Sequence, residues 1–296
     1  MTFTEPAMRP PQEASSLLLR ATQGCTYNKC QFCYVSRGYP FMAVTPMQLD
    51  AEVASLQKRF PDNTAIYMTG SNPFALPSDK LRTYLQIIAR RIPRFERVSM
   101  QSRIADIAGK SMEELREFCG MGLRHLYIGT ESGNDEALRL MNKGQTAAQC
   151  VEQLLRLDEA GITYTTFYII GMGGQGAGKV SGEATARMFN QVHPKRITTT
   201  GMTVFRHTPL SDMVARGEFI EASEREKIEE LRTFLQNLTI DVFYDGIHYL
   251  NPLNYRFSNS DAQAKRLVLD DIDDVLRQST DDELELMVSR RLKHSL

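Results

Sequence analysis

The chain is poor in cysteine and has no surplus of charge of either sign. Its 296 residues include five cysteines, and 35 basic residues face 36 acidic ones, a formal net charge of -1. So even a balance gives no global field to recruit nucleic acid or an acidic membrane. No uninterrupted apolar run approaches the ~18 residues of a membrane span. The N-terminal MTFTEPAMRPPQEASS lacks the apolar segment of a secretory signal. An odd cysteine count without such a signal argues against a disulfide framework. From these absences we expect a cytoplasmic protein in a reducing compartment, with no nucleic acid and no membrane as partner. Repeats, low-complexity tracts and linkers are also missing up to about residue 240.

What is present suits one α/β domain. Hydrophobic residues make up 42% of the chain, enough at this length for a sizeable core. Short β-branched or aromatic runs recur at Ser16–Thr22, Thr64–Thr69, Arg97–Gln101, Arg124–Gly129, Thr163–Ile170 and Ile197–Val204. Amphipathic stretches lie between them. Capping boxes open these at Thr45–Gln48, Ser111–Glu114, Thr146–Gln149 and Ser223–Glu226, and Gly120, Gly122 and Gly161 mark ends. Strand–helix alternation of this kind implies parallel strands joined by crossover helices, in either a barrel-like array or a doubly wound sheet. We divide the chain into an N-terminal arm (1–15, with Pro6, Pro10 and Pro11), an α/β domain (16–240) and a C-terminal part (241–296). In the last, DGIHYLNPLNYRFSNS breaks the pattern before a charged helical tail, about residues 261–294, that covers the domain.

Residues 24–34 read GCTYNKCQFCY. Cys25, Cys30 and Cys33 fall within nine positions, while Cys119 and Cys150 sit singly in helical stretches, as core thiols would. The loop follows the first strand, so it lies at the strand C-terminal edge, where such domains bind ligands. Three thiolates hold three corners of a cubane [4Fe–4S] cluster and leave the fourth iron open to another ligand. A zinc knuckle and a chance cluster of buried thiols are the other readings. Zinc wants a fourth ligand nearby, and neither His125 nor Cys119 forms a local motif with the loop.

The arrangement resembles the cluster loop of the radical S-adenosylmethionine (radical SAM) superfamily, C-x3-C-x-aromatic-C. Cys30-Gln31-Phe32-Cys33 keeps the second half, Phe32 included, and the first half is one residue longer, with TYNK between Cys25 and Cys30. The resemblance implies a [4Fe–4S] cluster on Cys25, Cys30 and Cys33, with S-adenosyl-L-methionine (SAM) on the open iron. It also implies SAM contacts at successive strand ends, and matching segments occur in order. Met68-Thr-Gly-Ser-Asn-Pro73 resembles the glycine-rich motif that meets the SAM amino group, in the style of the coproporphyrinogen-dehydrogenase-like branch, through Gly70 and Ser71. Arg103 is a cation for the SAM carboxylate. Tyr127-Ile-Gly-Thr-Glu-Ser-Gly133 resembles the G-x-E-S segment, with Glu131 toward the ribose hydroxyls or the ammonium. Gly201-Met-Thr-Val-Phe205 resembles the stretch that flanks adenine, with Thr203 and Val204 as contacts. Each segment also has a plain reading: a strand–helix turn, a solvated arginine, a helix N-terminal charge. Covering about residues 16–210, the resemblance selects a partial (βα)6 TIM-like barrel with a C-terminal helical appendage.

Gly173–Lys179 fits G-x4-G-K, the start of a phosphate-cradling loop. Val180 stands where a Ser or Thr would hold Mg²⁺. We therefore expect a flexible glycine loop at the barrel mouth and no nucleotide hydrolysis.

The activity implied by the resemblance is that of an oxygen-sensitive oxidoreductase or lyase. Reductive cleavage of SAM gives methionine and a 5′-deoxyadenosyl radical, which abstracts hydrogen from a small or medium metabolite. An electron donor such as flavodoxin or ferredoxin is the implied partner. No second cysteine group for an auxiliary cluster and no cobalamin module ahead of the barrel are expected. On the substrate side the candidates are His207, His248, Tyr249, Asn251, Asn254 and Arg256, each equally able to pack the tail. Two other classes stay open: an iron–sulfur redox or iron sensor without SAM turnover, and a zinc-stabilised α/β binding protein.

Overall fold

In a computed structural model, the structure describes residues 3–288. A 3-10 turn at Pro11–Glu13 precedes strands β1 (Leu17–Arg20), β2 (Thr22–Gln23) and β3 (Met42–Ala43). Helix α1 (Pro46–Arg59), β4 (Ala65–Thr69), α2 (Ser78–Arg91), β5 (Arg97–Ser102), α3 (Ile104–Ala108), α4 (Met112–Gly120) and β6 (Leu123–Glu131) follow. Then come α5 (Asp135–Leu140), α6 (Ala147–Ala160), β7 (Thr163–Ile170), α7 (Gly178–Phe189), β8 (Arg196–Gly201), α8 (Pro209–Ala215) and α9 (Glu224–Asn237). The chain continues through β9 (Phe243–Asp245), β10 (Arg256–Ser258), α10 (Ala262–Gln278) and α11 (Asp281–Leu286).

An eight-stranded sheet runs β1-β4-β5-β6-β7-β8-β9-β10, and β2 pairs with β3 in a small antiparallel ribbon. The large sheet is mostly parallel, with β10 antiparallel to β9 at its end. This is the partial TIM-like architecture, with no closed barrel. All four expected capping boxes form, each through a hydroxyl accepting from the N3 amide and a Gln or Glu side chain reaching back. The first expected strand divides into β1 and β2, and the sixth stops at Gly201, short of Val204. The irregular C-terminal stretch adds β9 and β10, which local pattern did not announce. Of the expected helical tail, α10 and α11 are described, and residues 289–294 lie outside the described residues.

Contacts divide the chain into two compact units. One comprises Met1–Asn28, Val35–Ile128 and Arg156–Tyr164, the other Lys29–Tyr34, Gly129–Leu155 and Thr165–Leu296. In the first unit, alternate strand positions Leu17, Leu19, Ile66, Met68, Val98, Met100, Leu126 and Ile128 are apolar and buried. The positions between them include Arg97, Ser99, Gln101, His125 and Tyr127. A parallel sheet covered on both faces reads as continuous apolar runs, so this alternation marks one face as polar. Glu13 of the arm is buried in that face, accepting from Arg97 (2.7 Å), Ser99 (2.8 Å), the Tyr127 hydroxyl (2.8 Å) and Ser16. Burial works to raise its carboxyl, but these donors outweigh it and hold the group below its usual value.

The second unit repeats the alternation. Ile197, Thr199 and Tyr244 are fully buried, and Arg196, Thr198, Thr200 and Asp245 occupy the alternate positions. Its charged tail is fastened to α9. Arg225 donates to the Leu276 and Ser279 carbonyls (2.8 and 2.7 Å), and Arg232 pairs with Asp273.

Candidate functional site

The cysteine loop begins in the first unit, just past β1 and β2. Gly24 donates its amide to Glu5 (2.7 Å), so the residue before Cys25 is fixed by the N-terminal arm. Thr26 is held by Asn72, which is fully buried. The Asn72 amide oxygen accepts from the Thr26 N–H (3.2 Å), and its nitrogen donates to the Thr26 hydroxyl (2.7 Å) and to Asp106 (3.0 Å). Burial raises the Asp106 carboxyl. Within the TYNK spacer the chain turns at Asn28, in the left-handed region at φ 48°, with its side chain donating to the Ser36 carbonyl (3.1 Å).

Gly70 and Ser71, past β4, adjoin this loop. A Cβ on Gly70 would fall 2.0 Å from the Thr22 hydroxyl, itself a buried group with no hydrogen-bond partner. Ser71 donates to Glu5 (3.0 Å), and Gln101, with its amide assigned by hydrogen-bond sense, donates to the Ser71 and Gly70 carbonyls (3.1 and 3.2 Å). Arg103 lies over the Tyr27 ring, 4.2 Å from its centroid. The structure thus brings Gly70, Ser71 and Arg103 into one network with residues 24–28.

Lys29–Tyr34, carrying Cys30 and Cys33, belongs to the second unit and is pinned there by backbone. Gln31 donates to the Met141 carbonyl (2.9 Å), Leu210 donates to the Gln31 carbonyl (3.0 Å), and Asn142 caps the Lys29 carbonyl (3.0 Å). Phe32 and Val204 both pack against a buried cluster that includes Leu138, Met141, Met172 and Met202. Tyr34 and Phe205 approach with ring centroids 4.0 Å apart. Thr203 contacts the Gly201 carbonyl at 3.4 Å.

Glu131 ends β6 at φ 65°, an uncommon conformation for a non-glycine residue. The turn folds its carboxylate back over Gly129, where a Cβ would lie 2.2 Å from Oε1. A side chain there would displace the carboxylate from this position. Lys143 Nζ meets the same oxygen at 2.8 Å, with both side chains almost buried. Sequence reasoning missed Lys143, although it stands in the MNKG stretch that closes the segment, and it also missed Glu5, Asn72 and Asp106.

The glycine loop before α7 is tied down, contrary to the flexible loop expected. Gln175 donates to the Ile220 carbonyl (2.9 Å), and the amides of Gly176 and Gly171 donate to Glu226 (2.6 Å) and Glu230 (3.0 Å). The Gly176 amide is taken by the Glu226 carboxylate and the Gln175 amide by a carbonyl, so neither is free for a phosphate.

Among the substrate-side candidates, Asn251 is buried and holds the Thr199 and Gly246 carbonyls (3.0 and 2.6 Å), while Asn254 accepts from the His248 amide (2.8 Å). Both do structural jobs. His248 contacts Thr200 through Nδ1 (3.1 Å), which also accepts from the Leu250 amide (3.2 Å). Burial lowers its pKa. It stacks on exposed Tyr249, ring centroids 4.6 Å apart. Arg256 and Arg196 both pair with buried Asp245. His207 stands apart, exposed at φ 61°. Of the remaining cysteines, Cys150 is buried, and burial pushes its thiol up to about 12. Cys119 is only half-buried and faces the Gly161 carbonyl (3.4 Å).

The family model of the Radical SAM superfamily matches residues 19–181. The chain belongs to the radical SAM superfamily. Solved structures agree on the fold. The methyltransferase TsrM from Kitasatospora setae, solved with cobalamin and a [4Fe–4S] cluster, superposes at TM-score 0.57 with 16% identity over 68% of this chain and 39% of that one. Coproporphyrinogen III oxidase (HemN) from Escherichia coli gives 0.54 and 18% over 75% and 51%, and methylornithine synthase (PylB) gives 0.52 and 15% over 92% and 85%. The chain thus spans well under two thirds of the length of TsrM and HemN. No curated protein sequence matches it.

A [4Fe–4S] cluster and SAM are the cofactors of this superfamily. Among the described residues no three His, Cys, Asp or Glu side chains are already gathered as a metal site, so the fit rests on the chemistry of the donors. Cys25, Cys30 and Cys33 are thiols outside any disulfide, as thiolate ligation requires. The unpartnered Thr22 hydroxyl beside Gly70 is a polar group that a ligand would satisfy. The residues fit the cofactors. Among the described residues no helix is long and apolar enough to cross a membrane.

Proposed function

We propose that this chain is a radical SAM enzyme acting on a small or medium metabolite. The observation that carries the reading is the trio of thiols on the loop after β1, in a chain whose residues 19–181 match the superfamily. Cys25, Cys30 and Cys33 would hold the cluster and leave one iron open. When bound, the reduced cluster and SAM supply the cleavage of SAM to methionine and a 5′-deoxyadenosyl radical, which takes hydrogen from the substrate.

The chain's own residues bind and orient. Asn72 and Asp106 fix the first half of the loop, and the Met141 and Leu210 backbones fix the second. Gly70, Ser71 and Arg103 would meet the methionyl part of SAM, Glu131 the ribose, and Phe32, Thr203 and Val204 the adenine side. Phe32 and Val204 share one apolar cluster, which supports their assignment and would exclude water from that flank. For the substrate we propose His248 and Tyr249, between β9 and β10, and Arg256 of β10, and a flavodoxin- or ferredoxin-type electron donor.

Anaerobic reconstitution with iron and sulfide tests the reading. We expect visible cluster absorption, and 5′-deoxyadenosine from SAM plus dithionite. Cys30→Ala should abolish both, and retained cleavage would refute the ligand assignment. A cluster without cleavage would point to a sensor instead, and zinc without iron to a structural site.

A further inference from the structure

Glu5 of the N-terminal arm is 4% exposed, yet its carboxylate meets only neutral donors. Oε2 accepts from the Gly24 amide (2.7 Å) and Oε1 from the Ser71 hydroxyl (3.0 Å), which is also shared with Ser36. The nearby cation is turned elsewhere. Arg20 donates to the backbone carbonyl of Glu5, and its guanidinium lies over the Phe3 ring at 5.6 Å. Glu13 shows the contrast. Equally buried, it has Arg97 at 2.7 Å.

A carboxylate removed from water without a counter-cation is costly, and such groups in folded proteins are paired or bind a cation. The placement is specific as well. Gly24 directly precedes Cys25, and Ser71 directly follows Gly70. The arm is moored along the C-terminal ends of the first strands, Thr4 donating to Gln23 (3.1 Å) and the Met8 carbonyl accepting from Thr69 (2.9 Å). The strand-end segment Thr69-Gly-Ser-Asn-Pro73 has no acidic residue of its own.

We propose that Glu5 supplies the missing anion, and that the buried carboxylate takes the α-ammonium of an amino-acid-type cofactor. Resting on the function proposed above, that ligand is SAM, and the N-terminal arm is part of the cofactor site. Residues 3–15 are then a strap that carries a binding group.

Glutamine at position 5 tests this. Its amide oxygen still accepts from Gly24 and its nitrogen can donate to Ser71, so shape is kept and charge is lost. Full-length wild-type and Glu5→Gln proteins, reconstituted anaerobically and matched in iron and sulfide, are titrated with SAM and with a SAM analogue lacking the α-amino group. A charge-assisted hydrogen bond corresponds to about ten- to a hundredfold in affinity. We expect E5Q to bind SAM that much more weakly while binding the des-amino analogue as the wild type does. Equal SAM affinity in the two proteins would overturn the proposal. So would an equal loss for both ligands, which would make Glu5 a loop anchor only. If the cluster-loaded wild type binds no SAM, the proposed function fails first and this inference with it.

Discussion

Lys143→Met removes the cation from a buried pair and leaves its carboxylate behind. Lys143 and Glu131 side chains retain only 7% and 11% of their exposure, and Nζ lies 2.8 Å from Oε1. Methionine fills nearly the same volume, so the change isolates charge. Breaking a buried pair by deleting one partner costs about 3–5 kcal/mol, because the remaining ion is neither paired nor solvated. At 11% exposure the carboxylate has little access to water where it stands. At about 2–3 °C per kcal/mol for a chain of this size, thermal unfolding followed by circular dichroism should begin roughly 6–15 °C lower. Replacing both members by neutral groups removes the stranded charge. Lys143→Met with Glu131→Gln should therefore recover most of the loss, a coupling of about 2 kcal/mol or more. An unfolding midpoint for the single variant within about 2 °C of wild type would refute this reasoning, as would strict additivity in the double variant.

Two further outcomes follow from buried groups. Asn72→Ala takes the amide from Asp106 and from both polar atoms of Thr26. The reconstituted variant should lose iron to a chelator several-fold faster than wild type, and Asn72→Asp, facing Asp106 with like charge, faster still. Iron loss at the wild-type rate in both would show that Asn72 does not hold the cysteine loop. Burial pushes the Glu230 carboxyl up to about 8, with the Tyr168 hydroxyl and the Gly171 amide as its donors. Its unfolded value is about 4.3, so the folded state holds the proton more tightly. The stability this contributes is complete below about pH 4 and is lost as pH rises through about 8. Unfolding temperature should fall across that window in the wild type and less steeply in Glu230→Gln. Parallel curves would rule out Glu230 as the titrating group.

The features legible in the sequence are those written by neighbours. Capping boxes join residues three apart, and each one forms. The cysteine loop and the Gly-x-Glu turn are equally local, and both stand at strand ends as expected. Lys143 escaped because its meaning depends on Glu131 folding backward, twelve residues away. Glu5 and Glu13 escaped for a stronger version of the same reason. Among prolines they read as part of an N-terminal arm, and their partners Gly24, Ser71, Arg97, Ser99 and Tyr127 are far along the chain. The glycine loop misled in the opposite direction, since its composition suggests freedom while Glu226 and Glu230 supply the restraint from α9.

The substrate is hidden by a different ambiguity. In β8 the run Ile197-Thr-Thr-Thr200 reads as high strand propensity, and that much is correct. Successive side chains on a strand point to opposite faces, so adjacent threonines do unrelated work. Thr199 is fully buried and shares a hydrogen bond with the Tyr244 hydroxyl (2.7 Å). Thr200 turns to the other face and meets His248 (3.1 Å). Propensity is blind to that distinction because one residue type satisfies both. Apolar residues on the covered face and chemically specific ones on the other are what a half-barrel needs, and threonine can stand in either row. The fold follows from the residues that repeat, whereas what the open face recognises depends on which polar groups it collects from distant strands.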